Sequence, residues 1–153
     1  MNDLRELYQD IILDHNRHPR NFGPLPAANH HAEGNNPLCG DQVSVLLDVA
    51  DGRIRDMAFQ GVGCAISMAS ASLMTTAIKG QTVEEARRLF HAFHDLLTIG
   101  DVSNRDGSPE LGKLAVFTGV REFPMRVKCA TLPWHTLLAA LDNPQDPQPV
   151  STE

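Results

Sequence analysis

The chain is organised around the segment Gly61-Val62-Gly63-Cys64-Ala65-Ile66-Ser67-Met68-Ala69-Ser70-Ala71-Ser72. Gly61 and Gly63 can adopt backbone angles that a side chain would forbid, and a helix of Ala, Ser and Met follows them. Cys64 falls where that helix begins, so its sulfur meets unpaired N–H groups and the positive end of the helix dipole, which both favour a thiolate. The stretch therefore predicts a turn that presents a reactive sulfur atom.

A β-hairpin is predicted on the N-terminal side of this turn. Apolar residues alternate from Val43 to Val49, Asp51-Gly52 is a hairpin turn signal, and residues 53–60 return as a second strand. The turn-rich loop 34–41, which carries Cys39 and Asp41, precedes the first strand. Because the two strands pair antiparallel, this loop and Cys64 are expected at the same end of the sheet.

Helices are predicted on both sides of the hairpin. The first three helices are predicted over residues 3–16, from Cys64 to about Lys79, and from the capping box Thr82-Val83-Glu84-Glu85 onward. A short helix at 111–118 and a last helix that begins at Phe123-Pro124 follow. Pro133 cannot donate to the carbonyl of Cys129, so a kink or break is expected there. We predict one domain over residues 1–142 and a disordered tail over 143–153.

Composition narrows the class of protein. The 153 residues suit one domain, and 42% hydrophobic residues are ordinary for a globular chain. The net charge of −6 and the absence of a basic run argue against nucleic-acid binding. No apolar run approaches transmembrane length, and the first residues lack the pattern of a signal peptide. We therefore expect a cytoplasmic protein whose thiols stay reduced.

Three cysteines, Cys39, Cys64 and Cys129, exclude a framework built from disulfides alone. Together with Asp41 they could supply three sulfurs and one oxygen to a metal ion. Their spacing matches no zinc-finger pattern and lacks the motifs of a zinc deaminase, so buried free cysteines remain the alternative. All three lie in glycine-rich loops or near helix starts, which favours the metal site.

Most of the histidines are expected to pack or to be solvated, and one is left open. His15 lies on the apolar face of the first helix and is expected to pack, while His30-His31 are expected to be exposed in a loop. His91 and His94 lie on a charged helix and are expected to be solvated. His135 follows Trp134, and its pattern suits either packing or ligation.

Taken together, these motifs resemble the SufU-like branch of the IscU/NifU N-terminal family of iron–sulfur cluster assembly proteins. The segments that carry the resemblance are Leu7-Tyr8, Asp14-His15, Pro19-Arg20-Asn21, Asn36-Pro37-Leu38-Cys39-Gly40-Asp41, the stretch from Gly61 to Ser72, and Arg126-Val127-Lys128-Cys129-Ala130-Thr131-Leu132. The resemblance implies an α+β fold in which a small antiparallel sheet of about three strands packs against several helices. The third strand would then lie within residues 28–38.

The resemblance also implies a metal site of Cys39, Asp41, Cys64 and Cys129. Scaffold members similar to IscU carry a histidine directly before the last cysteine, whereas this chain has Lys128. The longer link between Cys64 and Cys129 is similar to that of SufU-like members. Both departures favour Zn²⁺ over a [2Fe–2S] cluster as the bound metal.

The function implied is a zinc-dependent sulfurtransferase that accepts persulfide sulfur from a pyridoxal-phosphate cysteine desulfurase of the SufS type. Cys39 is the expected acceptor, because its loop is turn-rich while Cys64 and Cys129 are fixed at helix starts. Asp41 is expected to be replaceable by water at a solvent-reachable site. The alternatives are a scaffold that assembles a [2Fe–2S] cluster and hands it to other cluster-assembly proteins, and a structural zinc domain that only docks to the desulfurase.

Overall fold

The computed structural model describes residues 3–37, 40–98, 114, 116–117, 119–120, 123–142 and 150–151. Its elements in chain order are α1 (Asp3–Arg17), β1 (His30–Asn36), β2 (Asp41–Ala50), β3 (Arg53–Val62), α2 (Ala65–Ile78), α3 (Val83–Thr98), α4 (Pro124–Asp142) and β4 (Val150–Ser151). The sheet has the order β3-β2-β1-β4, in which β1, β2 and β3 pair antiparallel. The predicted α+β class and the antiparallel sheet of three strands are confirmed.

The central hairpin forms as the alternation predicts. Val43, Val45 and Leu47 point from β2 into the core, and Asp51 and Gly52 both have positive φ, as a two-residue hairpin turn requires. The pairing of β2 with β3 runs from Gln42↔Val62 to Ala50↔Arg53, with one register shift between Asp48 and Val49. The hairpin therefore brings Asp41, at the start of β2, beside the end of β3.

Helices α2 and α4 pack on the inner face of the sheet, while α1 packs on α2 and α3 packs on α4. Helix α4 approaches β1 so closely that a Cβ added at Gly34 would lie 2.2 Å from Thr136 Oγ1. The core between these layers includes Phe59, Phe93 and Trp134, all fully buried. Phe93 and Trp134 stack with their ring centroids 4.9 Å apart. One face of the sheet is thus covered by α2 and α4.

The last helix and the tail depart from what the sequence predicts. Helix α4 runs through Pro133 without interruption, so of the two predicted alternatives, a kink or a break, the break is wrong. Burial of Leu132, Pro133 and Trp134 in the core offsets the lost backbone hydrogen bond. In the predicted disordered tail, Val150–Ser151 form a strand parallel to β1, which the sequence does not predict, and residues 143–149 and 152–153 lie outside the described residues.

Of the predicted short helix at 111–118, the structure describes Leu114, Val116 and Phe117, which are buried and have 3₁₀ conformation. Within the described residues, no helix combines the length and the apolar character needed to cross a bilayer.

Candidate metal centre

Cys64 is the N-cap of α2, as the sequence predicts. Its backbone is extended (φ −71°, ψ 166°) and its Sγ accepts a hydrogen bond from the Ser67 backbone N–H at 3.4 Å. Gly61, three residues earlier, has φ +152°, and a Cβ there would lie 2.1 Å from the Gln42 carbonyl oxygen. Only glycine therefore lets β3 run this close to β2 before the chain turns into α2. The turn aims the Cys64 sulfur at the start of β2.

Asp41 lies at that start and is fully buried, with 0% of its surface exposed. Its Oδ1 accepts the Cys64 backbone N–H at 2.8 Å, and its Oδ2 lies 3.7 Å from Cys64 Sγ. The expectation of a solvent-reachable Asp41 is therefore wrong, because the side chain of this first β2 residue points into the core side of the sheet. One carboxylate oxygen holds the backbone of the turn, and the other faces the sulfur.

Gly63 makes room for this carboxylate. A Cβ at position 63 would lie 2.7 Å from Asp41 Oδ1 and 3.1 Å from Asp41 Cγ, closer than van der Waals contact allows. Unlike Gly61, Gly63 does not have a positive φ. Glycine is thus required at position 63 because a larger residue does not fit, and not because of the backbone angles that the sequence suggests.

Cys129 comes from α4, five residues after its first residue, and is also fully buried. The Ser70 hydroxyl of α2 donates to the Ala130 carbonyl at 2.5 Å, which ties the two helices together beside the cysteine. Ligand atoms of Asp41, Cys64 and Cys129 all lie within 4.8 Å of one another. Three of the four predicted ligands are therefore brought together from β2, the α2 N-terminus and α4.

The donor set suits zinc. With Zn–S near 2.3 Å and Zn–O near 2.1 Å, a tetrahedron has S···O edges of about 3.6 Å. The separation of 3.7 Å between Cys64 Sγ and Asp41 Oδ2 is close to that value. Two sulfurs and one oxygen leave a fourth position to be filled, so a tetrahedral site needs one more donor.

Cys39, the fourth predicted ligand, lies outside the described residues. The two ends of its loop are described: Asn36 pairs with Asp41, and the Gly40 N–H donates to the Asn36 carbonyl at 2.8 Å. Asn36 and Asp41 are both fully buried. The loop 37–40 is therefore closed at its base by a residue of the candidate site itself.

The surface next to the site is apolar and basic. Val62, which precedes Gly63, is 64% exposed, and Phe123 and Met125 at the start of α4 are also exposed. Arg126 is exposed and Lys128 half-buried on the first turns of the same helix. Large exposed apolar side chains beside a site are typical of a surface that a partner covers.

The histidines stand apart from this cluster. His15 is buried and its Nδ1 lies 2.7 Å from the Ser72 hydroxyl, so the predicted packing role is confirmed. His94, expected to be solvated, instead forms a ring cluster with Phe90 and His135. Burial, and secondly the nearby His94, lower the pKa of His135 below its usual range. Among the described residues, the one group of candidate metal ligands contains no histidine.

Comparison with known proteins supports the same reading of the chain. The profile of the NifU-like N terminal domain matches residues 7–130. The zinc-dependent sulfurtransferase SufU of Bacillus subtilis is 41% identical over 135 residues, which cover 88% of this chain and 89% of that protein. The iron-sulfur cluster assembly scaffold protein IscU of Streptococcus pyogenes is 36% identical, over 92% of this chain and 86% of the relative.

A solved structure shows the same architecture. The crystal structure of a putative iron-sulfur cluster assembly scaffold protein for the SUF system, from Fervidobacterium islandicum, superposes with a TM-score of 0.80 and 34% identity. The superposition covers 90% of this chain and 98% of that one. With the domain profile, the two relatives and the shared fold in agreement, the chain belongs to the NifU-like N-terminal domain family of iron–sulfur cluster assembly proteins, to which SufU and IscU relatives also belong.

Proposed function

We propose that this protein is a zinc-dependent sulfurtransferase that accepts persulfide sulfur from a cysteine desulfurase. The observation that carries the proposal is the convergence of Asp41, Cys64 and Cys129 within 4.8 Å, at the base of the loop that contains Cys39. The Bacillus subtilis relative, which is 41% identical over most of both chains, is named a zinc-dependent sulfurtransferase, and this name supports both zinc binding and sulfur transfer.

Asp41, Cys64, Cys129 and Cys39 would hold the zinc ion. Bound zinc stabilises thiolates at neutral pH and so keeps the site's sulfurs deprotonated until they are needed. Cys64 caps α2 and Cys129 is buried within α4, so a departure of either sulfur would disturb a helix. Cys39 lies between Leu38 and Gly40 in a loop of four residues that begins with Pro37. It is therefore the cysteine that can exchange at the least structural cost.

The transfer itself is a thiol–disulfide type exchange. The Cys39 thiolate attacks the terminal sulfur of the desulfurase cysteine persulfide, a new S–S bond forms on Cys39, and the S–S bond of the desulfurase breaks. The desulfurase cysteine leaves as a thiolate, so charge and electrons balance without an added oxidant or reductant. The product is a persulfide on Cys39, which a downstream acceptor can take up.

The exposed apolar residues beside the site support a protein partner. Val62 and Met125 lie next in sequence to the segments that carry Cys64 and Cys129, and Arg126 and Lys128 add positive charge. A pyridoxal-phosphate desulfurase of the SufS type, which would carry the sulfur as a cysteine persulfide, is the partner we propose. Docking there would place the donor persulfide beside the loop that contains Cys39.

A second candidate function is the assembly of a [2Fe–2S] cluster that is handed on as cargo. Its support is the similarity to the Streptococcus pyogenes IscU scaffold protein, which covers 92% of this chain. Lys128, where scaffold members similar to IscU carry a histidine, removes one cluster ligand and favours sulfur transfer. Metal analysis after anaerobic purification separates the two: the first function predicts one zinc per chain, and the second predicts iron with acid-labile sulfide.

Desulfurase turnover tests the leading proposal. Zinc-loaded wild-type protein should increase the rate of alanine formation from cysteine by a SufS-type desulfurase, and Cys39→Ser should not. The Cys39→Ser protein is first shown to be folded by circular dichroism, and its zinc content is measured. Equal stimulation by wild type and Cys39→Ser would refute the acceptor role of Cys39. Stimulation by wild type stripped of zinc would refute the zinc dependence.

A further inference from the structure

Pro133 lies in α4 four residues after the candidate metal ligand Cys129. In a regular α-helix the N–H of residue 133 would donate to the Cys129 carbonyl, but proline has no N–H. The proline ring also crowds that carbonyl, and helices bend at such positions. One helical hydrogen bond is therefore missing at the residue that bears the sulfur.

Two threonines favour bending of the same helix, one on each side of Pro133. Thr131 Oγ1 donates to the Val127 carbonyl at 2.9 Å, and Thr136 Oγ1 donates to the Leu132 carbonyl at 2.8 Å. A hydroxyl that bonds to the carbonyl four residues earlier slightly weakens a helix and often bends it. This part of α4 thus combines three features that make a helix easier to bend.

The parts of α4 before and after Pro133 are held differently. Residues 124–126 are exposed, and residues 127–128 are half-buried. After the proline, Trp134 is fully buried and stacks on Phe93 with ring centroids 4.9 Å apart. The core therefore fixes the second part of the helix, while the first turns are covered on fewer sides.

A contact with α2 lies between these two parts. The Ser70 hydroxyl donates to the carbonyl of Ala130, the residue directly after Cys129. This contact holds α4 against α2 at one point, about which the first turns can tilt. We propose that Pro133 is a positioning residue of the candidate metal centre: it lets the first turns of α4 tilt, so that Cys129 stays bound to the metal ion while other ligands exchange.

The tilt is a property of this chain, and its use in sulfur transfer rests on the proposed function. In that function Cys39 leaves the zinc ion, and the remaining ligands rearrange. Cys129 is fully buried, so its sulfur can move only together with its helical turn. A helix with the hydrogen bond from residue 133 in place would resist that movement.

Two substitutions restore the missing N–H and change the side-chain volume in opposite directions. Alanine is smaller than proline and valine is larger, so Pro133→Ala and Pro133→Val separate the effect of the N–H from that of packing. Thr136→Val is the control, because it changes a buried side chain of the same helix on the side that the core holds. Circular dichroism and urea unfolding of the zinc-free proteins establish that the variants are folded.

Two measurements on the protein without partners test the tilt. Transfer of zinc from the loaded proteins to an excess of chelator should slow about fivefold in both Pro133 variants, the size expected for one added backbone hydrogen bond. Hydrogen exchange of the zinc-free proteins should slow to a similar degree in peptides that cover residues 125–129. Thr136→Val should match wild type in both measurements.

Unchanged zinc transfer in both Pro133 variants would overturn the proposal. Opposite changes in the two variants would also overturn it, because side-chain volume, and not the N–H, would then control the metal centre. Equally slow transfer in Thr136→Val would overturn it as well, since any change in α4 would then have the same effect. If both Pro133 variants slow zinc transfer but wild type accepts no sulfur from a desulfurase, the tilt stands and the proposed function fails.

Discussion

At the scale of single residues, Asp41 has two tasks in one buried side chain. Its Oδ1 holds the Cys64 backbone N–H at 2.8 Å, and its Oδ2 faces Cys64 Sγ at 3.7 Å. The first contact shapes the turn into α2 and the second suits a metal ligand. A substitution that removes only the charge and one that removes the charge and the hydrogen bond can test these two tasks separately.

Asp41→Asn should keep the hydrogen bond to Cys64 but lose the negative charge. We expect metal-free stability equal to or above that of wild type, because a neutral amide costs less to bury than a carboxylate does, and zinc affinity at least about tenfold lower. Asp41→Ala removes both contacts and should also cost about 1–3 kcal/mol of metal-free stability. Urea unfolding of the zinc-free proteins and chelator competition measure the two quantities. Equal metal-free stability of the two variants would show that the Oδ1 contact contributes nothing.

Gly63→Ala tests the space that the carboxylate needs. A Cβ at position 63 would lie 2.7 Å from Asp41 Oδ1, so Asp41 must shift and the site must distort. We expect a loss of zinc affinity of at least about tenfold, together with about 1–3 kcal/mol of stability, as in other overpacked sites. Gly119→Ala is the matched control, because a Cβ there meets no heavy atom of the described residues within 4 Å. A Gly63→Ala protein that binds zinc as wild type does would contradict the described geometry.

Sequence alone predicts much of the site at this scale, and the remainder depends on tertiary contacts. The position of Cys64 at the helix start is readable because glycines and small residues mark the turn. The burial of Asp41 and the steric role of Gly63 are not readable, since each depends on how closely β2 and the turn approach one another. The Ser67 backbone N–H donates to Cys64 Sγ, and the Ser70 hydroxyl donates to the Ala130 carbonyl next to Cys129. Both serines look like ordinary helix residues in the sequence.

At the scale of elements, β1 shows why one strand escapes prediction from periodicity. Its inward residues are Ala32, Gly34 and Asn36, and its outward residues are polar, so no apolar alternation marks it. Helix α4 approaches β1 so closely that only small side chains fit between them. The resemblance to a known family located this strand within residues 28–38, where the pattern of hydrophobicity could not.

The contact between α3 and α4 includes a pH-sensitive element. His135 contacts Phe90 and His94, and burial followed by the proximity of His94 lowers its pKa. The unfolded chain therefore takes up a proton on His135 at a higher pH than the folded protein does. The part of the free energy of unfolding that depends on neutral His135 should be fully present above about pH 6.5, the usual pKa of histidine. It should be lost as the pH drops below that value.

His135→Gln should make this loss of stability smaller between pH 7.5 and pH 5.5. The free energy of unfolding is measured with urea across that range. Zinc-free protein is used, because zinc release on unfolding would add the protonation of the metal ligands to the measured pH dependence. His31→Gln, at an exposed position of β1, is the control and should follow wild type. A His135→Gln protein with the same pH dependence as wild type would show that this ring cluster does not couple stability to pH.

At the scale of the whole molecule, the packing of the sheet against the helices brings together three segments that are distant in the sequence. Asp41, Cys64 and Cys129 come from a strand start, a helix cap and a helix interior, and the β2–β3 hairpin with α4 across it brings them within 4.8 Å. The sequence predicts the hairpin end of this arrangement because antiparallel pairing has a fixed geometry. It does not predict that α4 stays helical through Pro133 or that β4 joins the sheet, because both result from packing against the assembled core.

Sulfur transfer to Cys39 is measured by the mass of the zinc-loaded protein after reaction with a cysteine desulfurase and cysteine, without reductant. We expect wild type to gain one sulfur atom, which peptide mapping places on Cys39, and Cys39→Ser to gain none. Added sulfur on Cys64 or Cys129, added sulfur on Cys39→Ser, or a wild-type protein that gains no sulfur at all would contradict this expectation.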